Sequence, residues 1–65
     1  MTPARVAHLL RVTREVKSLS EMDGLRRQLA HQQELTGDVY TAMQRRVDEL
    51  AKREGITAAK WWGRR

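Results

Sequence analysis

Apolar residues recur every three or four positions along most of this chain, and no stretch alternates with the two-residue period of a strand. Val6, Leu9, Leu10, Thr13 and Val16 share one side of residues 3–17, while His8, Arg11, Arg14 and Glu15 take the other. That is an amphipathic helix, opened by Thr2 as N-cap and Pro3 at its first position. A second helix is predicted over 20–34 on the narrower stripe Met22, Leu25 and Leu29, with Ala30 beside it. Its start is ambiguous by two residues, because Ser18 with Glu21 and Ser20 with Asp23 each suit a capping box. Gly24 weakens it by up to about 1 kcal/mol relative to alanine, and either admits a close helix neighbour or serves no purpose.

The third helix, 37–54, carries the clearest pattern. Val39, Met43, Val47 and Leu50 fall on one face, widened by Tyr40 and Ala51. Thr36 or Asp38 can cap its start, with Leu35 as hydrophobic staple. Asp38 and the pair Lys52-Arg53 sit at the ends that the helix dipole favours. Gly55 is a strong stop, and Ile56 suits the apolar contact that accompanies such a cap. Beyond it, Thr57 to Trp62 can make one last turn capped by Thr57, before Gly63-Arg64-Arg65 frays. The fold expected is all-α: three short amphipathic helices in a small bundle or helical hairpin, spanning residues 1–59, with a basic aromatic C-terminal tail at 60–65.

Length limits this picture. Sixty-five residues make one domain at most, near the size at which a lone core barely offsets chain entropy. Self-association or a hetero-complex is therefore physically attractive. Without cysteine, neither a disulfide nor a thiolate-held metal is available. Thirteen Lys/Arg against eight Asp/Glu give +5, yet Lys60, Arg64 and Arg65 carry three of those charges and leave the body at +2. An acidic partner is favoured, though less than a basic stripe along one helix would favour it. No run approaches the roughly 20 apolar residues of a membrane span, and no signal-type apolar region opens the chain. The expectation is a cytoplasmic protein without membrane contact.

The side chains hold little chemistry. His8 and His31 are the only imidazoles, on different predicted helices, and no glycine-rich phosphate loop is present. No catalytic residue, metal ligand or cofactor site is expected, and the chain reads as a non-enzyme. Asp48, Glu49 and Glu54 read as a solvent face balanced by Arg45, Lys52 and Arg53, with Glu49 to Arg53 in the better helical orientation. Arg26-Arg27 and Arg45-Arg46 are the remaining basic pairs. Arg46 falls close to the apolar face and reads as packing. Arg26, Arg27 and Arg45 are the candidates if the chain binds DNA or RNA directly.

The densest signal is Lys60-Trp61-Trp62-Gly63-Arg64-Arg65. Indoles are common anchors at binding surfaces, and neighbouring cations suit acidic groups. Adjacent side chains on a helix point about 100° apart, so the two rings cannot fill one pocket. One ring is expected to fold back near Leu50 and Ile56 and the other to face outward. Trp61, Trp62, Lys60, Arg64 and Arg65 are the predicted partner-binding residues, and removing 60–65 is expected to leave helicity nearly unchanged.

Residues 18–54 combine a Ser-led start (Ser18-Leu19-Ser20-Glu21), Leu25 and Leu29, a turn at Leu35-Thr36-Gly37-Asp38, and a closing Arg45-Arg46-Val47-Asp48-Glu49-Leu50. This pattern resembles a short helical segment of bacteriophage proteins, found near or within their DNA recombination and replication accessory proteins. The resemblance implies a small viral accessory factor in a bacterial host cell, without recombinase activity and with no binding residues carried over. The function expected is a non-enzymatic interaction protein that binds a host or viral protein of DNA metabolism. Direct nucleic-acid binding and a self-assembling helical subunit are the alternatives.

Overall fold

The computed structural model describes residues 2–63. Thr2 accepts a hydrogen bond from the Arg5 N–H at 3.2 Å and, with Pro3, opens α1 (Pro3–Glu15). Ser18, not Ser20, caps α2 (Leu19–His31), accepting from the Glu21 N–H at 3.2 Å. Glu21 reaches back and accepts from the Lys17 N–H at 3.3 Å. The box therefore closes one residue earlier than the usual reciprocal pair.

α2 stops three residues short of its predicted end. Gln33 takes a left-handed conformation, φ 58°, and the next N–H, from Glu34, donates to the Leu29 carbonyl at 2.8 Å. Gln33 N–H also donates to Ala30. This pair of bonds is the Schellman closure that glycine normally permits, made here by glutamine. No glycine marks the stop in the sequence, so periodicity alone overran it.

α3 (Gly37–Glu54) matches its predicted span. Thr36 is its N-cap residue, without a side-chain capping bond. Gly55 ends it at φ 76°, and Ile56 N–H donates to the Ala51 carbonyl at 3.0 Å. A fourth helix follows, α4 (Ala58–Trp62), capped by Thr57 through the Lys60 N–H at 3.2 Å. The chain thus has four helices among the described residues rather than three and a tail, and a boundary at residue 60 falls inside α4.

α3 is the hub, in contact with α1, α2 and α4. Its stripe Val39, Met43, Val47 and Leu50 is fully buried, and Leu9, Leu19, Met22, Leu29 and Trp61 close around it. Such burial is worth about 1.5–3 kcal/mol per large aliphatic side chain. Thr13 is buried among them and satisfies its hydroxyl by donating to the Leu9 carbonyl at 2.8 Å. An alanine-sized Cβ at Gly24 would meet nothing within 4 Å, so the glycine does not serve close helix approach.

Polar ties set the relative directions of the helices. Arg5 near the start of α1 grips Glu34 with two bonds of 2.7 and 2.8 Å. Glu34 precedes α3, so the two N-terminal ends lie together. At the other end, Arg46 donates from Nε to the Val16 carbonyl at 2.9 Å. α1 and α3 therefore run side by side in the same sense. The Leu19 N–H donates to Glu54 at 2.8 Å, which sets the start of α2 against the end of α3.

Candidate functional site

The two flanks of α3 treat their arginines and aromatic rings differently. On the α2–α4 flank, Trp61 is 4% exposed and belongs to the core. Arg26 lies over its ring, 5.4 Å from guanidinium carbon to ring centroid, and donates to Asp23 at 3.1 Å. A cation within about 6 Å of an indole gains roughly 0.5–2 kcal/mol, more as water is excluded. Arg26 Nε is buried with no acceptor among the described residues. Arg27 is largely exposed and pairs with the other Asp23 oxygen at 3.2 Å.

Trp62 stacks edge-on against Trp61, centroids 4.7 Å apart, and tilts over Tyr40 at 5.3 Å. It is half-buried. The expectation of one ring inward and one partly outward is met, with Trp61 as the inward one. Trp61 is consequently a core residue in this fold, and its indole is covered as a docking surface. Lys60 is exposed beside it. Arg64 and Arg65 lie outside the described residues.

On the other flank α1 packs against α3 with Leu9 and Thr13 buried. A groove of about 600 Å³ runs between the two helices, with Leu10 and Ala42 as its apolar part and Arg14 and Arg45 along it. Asp38 lies toward the α3 start, and Arg46 with Glu49 toward the other end. Arg46 is already committed: besides the Val16 carbonyl it holds Glu49 at 3.1 Å. Glu49 therefore pairs backward with Arg46, in place of the forward pairing with Arg53 that the spacing suggested. Arg14 and Arg45 form no ion pair with any described residue, and both are exposed. The sequence signal that could have singled out Arg14 is its place on the polar side of α1, next to the stripe residues Leu10 and Thr13.

The nucleic-acid candidates are not gathered in one place. Arg26 and Arg27 belong to α2, with Arg26 on the Trp61 side. Arg45 lies five positions from Tyr40 on α3, which turns it about 140° away from the Tyr40–Trp62 contact. His8 and His31 are exposed on separate helices, and no cluster of metal-ligating side chains forms among the described residues. Among the described residues no helix is long and apolar enough to cross a membrane. No family model matches the chain, and neither known proteins nor solved structures gave a match.

Proposed function

We propose that this chain is a non-enzymatic interaction module whose partner is another protein. One observation carries the reading. A groove of about 600 Å³ between α1 and α3 sets the half-buried Leu10 and Ala42 beside Arg14 and Arg45, neither of which forms an ion pair with a described residue. A cleft of that size lies within the roughly 300–1,000 Å³ typical of binding sites. Its lining is arginine, aliphatic and carboxylate, a set suited to holding a partner. Trp62, half-exposed on Tyr40, with Lys60 nearby, is a second contact point, and the terminal arginines would add attraction. The resemblance of residues 18–54 to phage accessory segments suggests a partner in a DNA-handling assembly.

The test is affinity capture with the full chain, with and without nuclease treatment. A protein retained after nuclease, and competed by free chain, is expected. Retention that vanishes with nuclease would replace this reading by direct nucleic-acid binding, whose mark is a steep fall of affinity with salt.

A further inference from the structure

We propose that the α1–α3 groove takes an acidic segment of the partner: an apolar side chain seated over Leu10 and Ala42, with carboxylates on Arg14 and Arg45. This rests on the interaction reading above and specifies the chemistry of the partner and the way it lies.

The argument begins with helix direction. α1 and α3 run in the same sense, since Arg5 reaches Glu34 at one end and Arg46 reaches the Val16 carbonyl at the other. Arg14, two residues before Val16, is therefore at the same end of the groove as Arg45 and Arg46, while Asp38 marks the opposite end. Glu49 neutralises Arg46. What remains is a bipolar groove: two guanidiniums without an ion pair among the described residues at one end, a carboxylate at the other, and Leu10 and Ala42 between. Two like charges lining one groove repel each other, and an anion placed between them relieves that repulsion. Guanidinium forks also match carboxylates in bidentate geometry.

Carboxylate on a peptide is favoured over phosphate on a nucleic acid by what bounds the positive stretch. Asp38 and Arg45 are seven positions apart on α3, roughly 10 Å of helix. A phosphate backbone following the groove away from Arg45 would run into the Asp38 carboxylate. No aromatic ring lines this groove to stack a base. A short peptide would set its acidic residues at the Arg14–Arg45 end and any cation at Asp38.

The experiment uses the full chain, isotopically labelled, titrated with a capped peptide of leucines interspersed with glutamates. Its lysine-for-glutamate twin and a single-stranded DNA oligonucleotide are titrated in parallel. The acidic peptide is expected to shift the amide signals of Leu10, Arg14, Ala42 and Arg45 saturably, and the lysine twin to leave them in place. Arg14→Glu and Arg45→Glu should each weaken binding roughly tenfold or more, while Arg53→Glu, a charge reversal outside the groove, changes it less than about threefold. Circular dichroism on each variant confirms that the helices persist. Equal losses from Arg53→Glu and Arg45→Glu would reduce the effect to net charge and overturn the proposal. So would no saturable shift at millimolar peptide, or tighter DNA binding at the same residues. Shifts centred on Tyr40 and Trp62 would overturn the groove assignment yet leave the protein-interaction reading standing, whereas nuclease-sensitive capture would remove that reading itself.

Discussion

The two flanks of α3 show how neighbouring residues of one type acquire different roles. Trp61 and Trp62 are adjacent, yet one plugs the core and the other lies half-open on Tyr40. Arg45 and Arg46 are adjacent, yet Arg46 ties α1 to α3 through the Val16 carbonyl while Arg45 is uncommitted. In both pairs the cause is the 100° step between successive helical side chains, which turns one toward a packed neighbour and the other away. On the α2–α4 side Trp61 is buried with Arg26 over its ring. On the α1–α3 side Arg46 is bonded and Arg45 forms no ion pair with a described residue.

The sharpest way to break this comparison is at the indoles. Trp61→Ala should cost about 3–5 kcal/mol, a large share of the stability available to so small a domain, and thermal melting followed by circular dichroism would show it. Trp62→Ala is expected to cost clearly less. Equal losses would mean that the two rings share the structural work. For the same reason, removing residues 60–65 takes Trp61 out of the core and should lower helicity, the reverse of what the sequence alone suggests. A truncated chain is thus unsuitable for testing partner contacts, and point substitutions in the groove are the better instrument.

A smaller effect separates the adjacent arginines. Arg46→Ala removes the donor to the Val16 carbonyl and the stem packed over the helix pair, and should cost about 1–2 kcal/mol in chemical denaturation. Arg45→Ala should stay within about 0.5 kcal/mol. If Arg45→Ala proved as costly, the α1–α3 groove would be structural and its role in binding would fall.

The smallest effect concerns acid. The hydrogen bonds from Arg5 hold the Glu34 carboxyl below its ordinary value of 4.5, partly offset by its burial. A carboxyl depressed by folding contributes stability that is fully present above that ordinary value and is lost as pH falls through the lower folded one. Glu34→Gln should therefore leave stability less dependent on pH below about 4.5, and barely alter its pH dependence near neutrality. Arg5 is exposed and Glu34 half-buried, so added salt should shrink the difference in part. An acid limb identical in both proteins would mean that the tie between α1 and the α2–α3 turn does not contribute.

Much of the architecture was legible because it is written in local spacing. The stripe Val39, Met43, Val47 and Leu50 announced α3 and its buried face, and each of these side chains is buried. Thr2, Gly55 and Thr57 announced their caps, because capping chemistry operates within four residues. The end of α2 was not legible, since Gln33 carries a left-handed turn that is usually a glycine's and Arg5, far away in sequence, holds Glu34 beside it.

Hydrophobic period thus determined by itself that this protein is helical, roughly where three of its helices run, and which face of each turns inward. Only the folded arrangement decided which indole is covered, which arginine is bound, and where a groove is left between α1 and α3. Those outcomes depend on groups 20 to 35 residues apart meeting through space, as Arg46 meets Val16 and Leu19 meets Glu54. A periodic pattern describes each helix alone and carries no record of how deep its neighbours lie.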